Sequence, residues 1–250
     1  MKPELNFQLS QPLGQLSAFV QGIWSASVSQ SGSVVKSLYC DAGSGITFNL
    51  VGDLAIGDVA LSEGVIMLPV KKQADNIVLS AGAQLAGIRF HPAIGYGVFG
   101  QRFDKPTLLL PEKNYQLNLY QIFSELREQK DNESRIKSLY QWAEKNLGYT
   151  DVIPNPLGKA LKCIEQDGTP GQLSKSNELS QRQIERLFKR WLGMSPKYYQ
   201  RILRVKESIC FLRMHNNVNL VDVAQQFGFS DQAHMTREFR TIARITPGKV

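Results

Sequence analysis

Apolar positions in the first hundred residues fall in short runs separated by Gly, Asp and Ser. The runs are Val34-Val35, Ile46-Thr47-Phe48-Asn49-Leu50, Val65-Ile66-Met67-Leu68, Asn76-Ile77-Val78-Leu79 and Leu85-Ala86-Gly87-Ile88-Arg89-Phe90. Closely spaced, β-branched runs with Gly turns predict strands, assembled as a barrel or a sandwich. Past Pro106 to Pro111 the period changes. Leu119, Ile122, Phe123 and Leu126 form one helical stripe, and Ile136, Leu139, Tyr140, Ala143 and Leu147 form another. The polar stretch Glu128 to Ser134 between them predicts the turn of a helical hairpin. Gly148 to Pro156, with Pro154 and Pro156, has the punctuation of a linker.

Everything after the linker reads as helix. Pro156 to Gln166 places Leu157, Ala160, Leu161 and Ile164 on one face, and a second short helix is expected over Gly171 to Ser176. Ser180 suits an N-cap for a helix through Trp191, with Ile184, Leu187, Phe188 and Trp191 inward. Gly193 ends it. Ser195-Pro196 opens a long helix to Met214, whose inward stripe is Ile202, Val205, Ile209 and Leu212. Asn219 to Phe227 is another short helix and Gly228-Phe229 a tight turn. Ser230 or Asp231 then caps the last helix. A short helix, a Gly-containing turn and a capped basic helix make a helix-turn-helix pattern, and it occurs twice.

The two copies align residue by residue. Ile184-Glu185-Arg186-Leu187-Phe188-Lys189, continuing to Met194-Ser195-Pro196, matches Met235-Thr236-Arg237-Glu238-Phe239-Arg240, continuing to Ile245-Thr246-Pro247, at a constant offset of 51. Such a repeat implies two copies of one supersecondary unit. Charge follows the same division. Residues 154–250 carry 16 Lys and Arg against 8 Asp and Glu, whereas residues 1–153 carry 13 against 14. A basic excess confined to the repeat is the footprint of a polyanion binder, and DNA is the expected partner.

Other function classes find little support. No run approaches the ~18 apolar residues of a membrane span. The start, Met1-Lys2-Pro3-Glu4-Leu5-Asn6, has no apolar signal core, so a cytoplasmic protein with no membrane partner is expected. Cys40, Cys163 and Cys210 are too scattered for a disulfide framework or a zinc site. His91 has no second His or carboxylate at ligand spacing, so neither a metal nor a cofactor is expected. His215 at a helix end is favourable to the dipole. No Gly-x-Ser-x-Gly, phosphate-loop or dinucleotide fingerprint occurs, and the expected protein is not an enzyme.

From Leu179-Ser180 through Arg201 to Arg204, and again from Val223-Ala224 and Phe227-Gly228-Phe229-Ser230-Asp231-Gln232 to Thr246-Pro247, the chain resembles the AraC family of bacterial transcription regulators. The resemblance implies two helix-turn-helix units joined by a long helix, with the second helix of each unit in the major groove. Glu178 stands where the family usually has Gly, Ser174 where it has Ala, and Ala243-Arg244 where an aromatic-Gly pair is common. Phe19-Val20-Gln21-Gly22-Ile23-Trp24 and Gly87-Ile88-Arg89-Phe90-His91-Pro92 look like an N-terminal, cupin-like domain that senses a small molecule or mediates self-association.

The expected architecture is therefore α+β. Residues 1–105 form a β-barrel-like sensing or dimerisation domain, 106–153 a helical hairpin and linker, and 154–250 the double helix-turn-helix. Fork and point donors and acceptors on the exposed helix faces are the candidates for base edges: Arg182, Glu185 and Arg186 in the first copy, Gln232, His234, Thr236 and Arg237 in the second. Glu185 also has Lys189 at i+4, a competing intrahelical pairing. Gln181, Lys189, Arg190, Lys197, Ser230 and Arg240 are the candidates for phosphate. The partners expected with the resemblance are double-stranded promoter DNA, RNA polymerase, a small-molecule effector and a second copy held through residues 1–150. Control by a protein partner, or an enzyme-like β-barrel fused to a DNA-targeting domain, are the alternatives.

Overall fold

The computed structural model describes residues 3–113, 117–147, 152–166, 168, 172–173, 179–215 and 217–250. The chain divides into two compact units. One holds Met1–Ser37, Gly43–Val70 and Asn76–Val152, the other Leu38–Ala42, Lys71–Asp75 and Ile153–Val250.

The strands are β1 (Leu5–Ser10), β2 (Val20–Val28), β3 (Val34–Leu38), β4 (Gly45–Val51), β5 (Leu54–Ile56), β6 (Val59–Leu61), β7 (Gly64–Leu68), β8 (Asp75–Leu79), β9 (Gln84–Phe90) and β10 (Thr107–Leu108), and the short apolar runs account for β3, β4, β7, β8 and β9. The strands make a six-stranded sheet in the order β1-β2-β9-β4-β7-β10 and a four-stranded sheet in the order β3-β8-β5-β6. β10 pairs with β7 just beyond the expected limit of the β-rich segment at 105. Register is fixed by burial. Ile23 faces Ile88, Ile88 faces Ile46 and Ile46 faces Met67 across four antiparallel strands, and each is at most 2% exposed. A slip of one residue would turn this whole row to the other face of the sheet. Gly87 is required by its cross-strand neighbour Trp24, whose ring would lie 2.5 Å from a Cβ there.

A short helix α1 (Ile94–Phe99) follows the last long strand. The hairpin is α2 (Leu119–Glu128) and α3 (Asn132–Asn146). The α2 stripe Leu119, Ile122, Phe123 and Leu126 is buried as its spacing requires. The turn is tighter than expected, spanning only residues 129–131, because Asp131 caps α3 by accepting from the Ser134 N–H at 2.8 Å. Asn132, expected in the turn, is consequently buried. Asn132 accepts from Ser25 Oγ at 2.9 Å and donates to Asn6 O at 3.2 Å. Arg135, 3% exposed, donates to Gln129 O and Gln84 Oε1. Loss of solvation holds its guanidinium below the ordinary value.

The second unit carries α4 (Asn155–Glu165), α5 (Gln181–Trp191), α6 (Pro196–Met214), α7 (Leu220–Gln226) and α8 (Gln232–Ile242). The expected helix at 171–176 and the turn with Ser174 and Glu178 lie outside the described residues, save 172–173 and 179. Of the expected linker at 148–156, residues 148–151 also lie outside the described residues, and Asn155 and Pro156 belong to α4. Leu157, Ala160, Leu161 and Ile164 form the buried face of α4. Ile202, Val205 and Ile209 are buried on α6, joined by Tyr199 and Ser208, which the apolar stripe did not include.

Candidate nucleic-acid interface

Each basic helix starts at a built cap. Ser180 accepts from the Gln183 N–H, while the Gln183 side chain accepts from the Ser180 N–H at 2.9 Å, closing a capping box on α5. Asp231, the second of the two cap candidates, accepts from the His234 N–H on α8. That backbone donor and the Ser230 hydroxyl hold the Asp231 carboxyl below the ordinary carboxylate value.

Burial then separates two faces. On α5, Ile184 and Phe188 are fully buried, Leu187 and Trp191 are half-buried, and Gln181, Arg182, Glu185, Arg186, Lys189 and Arg190 are exposed. On α8, Met235, Phe239 and Ile242 are buried, while Gln232, Ala233, Arg237 and Arg240 are exposed. The aromatic–Arg register of the repeat survives in three dimensions: Phe188 and Phe239 point inward, Arg186 and Arg237 outward. An open groove of ≈ 990 Å³ runs along α8, bordered by Ala233, Thr236, Arg237 and Arg240 and by Val221 and Gln225 of α7.

Several candidates are committed to partners within the protein. Glu185 accepts from Gln181 Nε2 at 3.2 Å, a partner other than the expected Lys189. Thr236 donates its hydroxyl to Gln232 O at 2.9 Å. His234 is half-buried, edge-on to Phe229, and its Nδ1 accepts from the Ser230 N–H at 3.2 Å and meets Ser230 Oγ at 3.1 Å. A neutral His234 thus carries its ring proton on Nε2. The Ser230 hydroxyl also lies 3.3 Å from Asp231 Oδ2. Lys197 is exposed in the first turn of α6.

Two residues that hold this arrangement were not singled out from the sequence. Tyr199, fully buried against the Phe188 ring at 5.9 Å, donates to Glu165 Oε1 at 2.7 Å. Burial and the Glu165 carboxylate push its phenol far above the ordinary value. Glu238 is buried on α8 and takes a two-pronged ion pair from Arg201 of α6, Nε to Oε2 at 2.7 Å and Nη2 to Oε1 at 2.9 Å. The Glu238 hydrogen bonds raise the Arg201 guanidinium. The signal for Glu238 was in the repeat: an offset of 51 sets it at the register of the inward Leu187. A carboxylate at an inward position needs a cation, and Arg201 supplies it.

Among the described residues no group of three His, Cys, Asp or Glu is placed to hold a metal ion, and no helix is long and apolar enough to cross a membrane.

Residues 173–250, which include both basic helices, match a family model described as a helix-turn-helix domain. The HTH-type transcriptional regulator ArgR of Pseudomonas aeruginosa is 29% identical over 84 residues, covering 34% of this chain and 25% of that protein. A Bacillus subtilis protein, the uncharacterized HTH-type transcriptional regulator YdeC, is 27% identical over 140 residues, covering 56% of this chain and 42% of that one. The chain thus spans less than half the length of either curated relative. Among solved structures, ToxT from Vibrio cholerae O395 aligns over 99% of this chain and 96% of its own, with 11% identity and a TM-score of 0.47.

Proposed function

We propose that this protein, which matches a helix-turn-helix domain over residues 173–250, is an AraC-type, sequence-specific DNA-binding transcription regulator acting at a bacterial promoter in the cytoplasm. One observation carries the proposal. Two capped helices, α5 and α8, present Arg at the same repeat register on exposed faces, and both are anchored to one continuous helix, α6. Arg182, Glu185, Arg186, Gln232, His234, Thr236 and Arg237 are the residues set against base edges. Gln181, Lys189, Arg190, Lys197, Ser230 and Arg240 are set against phosphate, consistent with the basic excess of residues 154–250.

The regulator is proposed to activate transcription through RNA polymerase, with residues 1–150 taking a small-molecule effector and holding a second copy. Support for a hydrogen-bonding effector comes from β4. Thr47 Oγ1 and Asn49 Oδ1, two residues apart and so on one face of the strand, are buried without a hydrogen-bond partner among the described residues. A buried polar atom left unpaired is costly, and a ligand with matching groups would relieve it.

The test is selection of bound duplexes from a random pool by the full chain, followed by a salt titration on the enriched sequence. A bipartite motif is expected, with log affinity falling against log salt at a slope of about −5 to −7 if ~6–8 phosphates are neutralised. Failure to enrich any sequence, with a slope near zero, overturns the proposal.

A further inference from the structure

We infer that the two basic helices read different base chemistries: α5 a guanine-bearing segment, and α8 a segment in which a guanine lies beside a thymine whose 5-methyl group packs on Ala233 and Thr236. The inference rests on the proposed DNA-binding function and names the sequence class that its site takes.

The repeat makes the comparison direct. Arg186 of α5 corresponds to Arg237 of α8, so each helix keeps one exposed guanidinium, whose fork fits the O6 and N7 acceptors of guanine. The neighbouring positions diverge. Arg182 corresponds to Ala233, and Glu185 to Thr236. On α5 the exposed surface is therefore ionic, with Arg182 and Arg186 at i and i+4 on one face and Glu185 between them already accepting from Gln181. On α8 the second cation and the carboxylate are both replaced by carriers of methyl groups. Ala233 is exposed and offers only its Cβ. Thr236 spends its hydroxyl proton on the Gln232 carbonyl at 2.9 Å, so it has no donor left to offer and presents its methyl beside an acceptor oxygen.

Both residues border the groove along α8, next to Arg237 and to the exposed side chain of Val221. The major-groove edge of DNA carries one apolar group, the thymine methyl. A groove wall in which the Arg237 guanidinium lies beside methyl groups, with Arg240 set against phosphate, is complementary to guanine next to thymine. The α5 wall has no counterpart for that methyl.

The experiment uses the full chain and the duplex it selects. Positions whose preference relaxes in Arg237→Ala mark the α8 segment, and those that relax in Arg186→Ala mark the α5 segment. Each thymine is then replaced singly by deoxyuridine, which deletes only the methyl. One replacement in the α8 segment should weaken binding about four-fold, the worth of one buried methyl-sized group. Replacements in the α5 segment should have no effect. In Thr236→Ser, which keeps the hydroxyl and loses the methyl, the thymine-over-deoxyuridine preference should shrink towards one. Sequence-specific binding that tolerates deoxyuridine throughout the α8 segment overturns this inference and leaves the proposed function standing. Absence of any sequence-specific binding overturns both.

Discussion

Gly193 and Arg244 occupy the same register of the repeat, and both have a left-handed backbone, with φ of +75° and +56°. Gly adopts that region without a steric cost, whereas a residue with a Cβ pays for the approach of the carbonyl oxygen. Arg244 is exposed, so nothing in its burial calls for the side chain. Arg244→Gly should stabilise the protein by about 0.5–1 kcal/mol, the steric relief less the greater freedom Gly has in the unfolded chain. Thermal unfolding of the full chain checks it: a lower midpoint would mean that the Arg side chain contributes more than its backbone costs. The departure at Ala243-Arg244 was visible in the sequence, but its conformational cost was not, since only a φ value identifies it. The exposed arginines carry a separate expectation. Arg186→Ala and Arg237→Ala should each cost roughly 1–3 kcal/mol on the selected site and relax one position, while Lys197→Ala weakens all sequences alike. Equal losses on selected and random duplexes for the two arginine variants would reject base reading by these residues.

At the scale of an element, α8 is held at its start and at its middle by different chemistry. Its start depends on a carboxylate cap, Asp231, and its middle on the ion pair of Glu238 with Arg201. The cap titrates. Its folded-state carboxyl lies below the ordinary value, so its stabilising contribution is fully present above that value and is lost as pH falls through the folded one. Asp231→Asn keeps a side-chain acceptor but cannot titrate. The acid limb of the unfolding midpoint should therefore be shallower in Asp231→Asn than in the parent, with the two converging at the most acidic pH; parallel limbs would show that the cap does not contribute. Elements like α8 were legible in the sequence because their caps, turn Gly and 3.6-residue stripe are local signals. The hairpin turn was less so. Asn132 read as a turn residue, and its burial and that of Arg135 depend on Ser25, Asn6 and Gln84, which lie 51 or more positions from the residues they bond. Strands β1, β2, β5 and β6 escaped for a similar reason. Leu5–Ser10, for example, is a largely exposed edge strand without a β-branched run, and its pairing with β2 defines it.

At the scale of the whole molecule, the break between Val152 and Ile153 coincides with the change of charge balance and not with the change of hydrophobic period past 106–111, since α2 and α3 belong with the strands. What the sequence implied less directly is how stiffly the two basic helices are coupled. α6 is an uninterrupted helix of 19 residues, about 28 Å long at 1.5 Å per residue. It packs against both α5 and α8, through Tyr199 on Phe188 at one contact and Arg201 on Glu238 at the other. Successive major grooves on one side of a duplex are about 34 Å apart. Both contacts lie within one turn of α6, so the proposed reading of two successive grooves rests on the stiffness of that shared anchor and not on the length of α6. Stiffness then makes spacing strict. Hydroxyl-radical footprinting of the full chain on its selected duplex should give, for each copy bound, two protected patches centred about 10 base pairs apart. Inserting two base pairs between the patches displaces one segment by about 7 Å along the axis and rotates it by roughly 70°. A rigid α6 cannot follow that displacement, so affinity should fall to that of a duplex bearing one segment only, and one patch should vanish. Two patches that persist at full affinity after the insertion would mean that α5 and α8 move independently; a single patch on the unaltered duplex would mean that one of them never enters the groove.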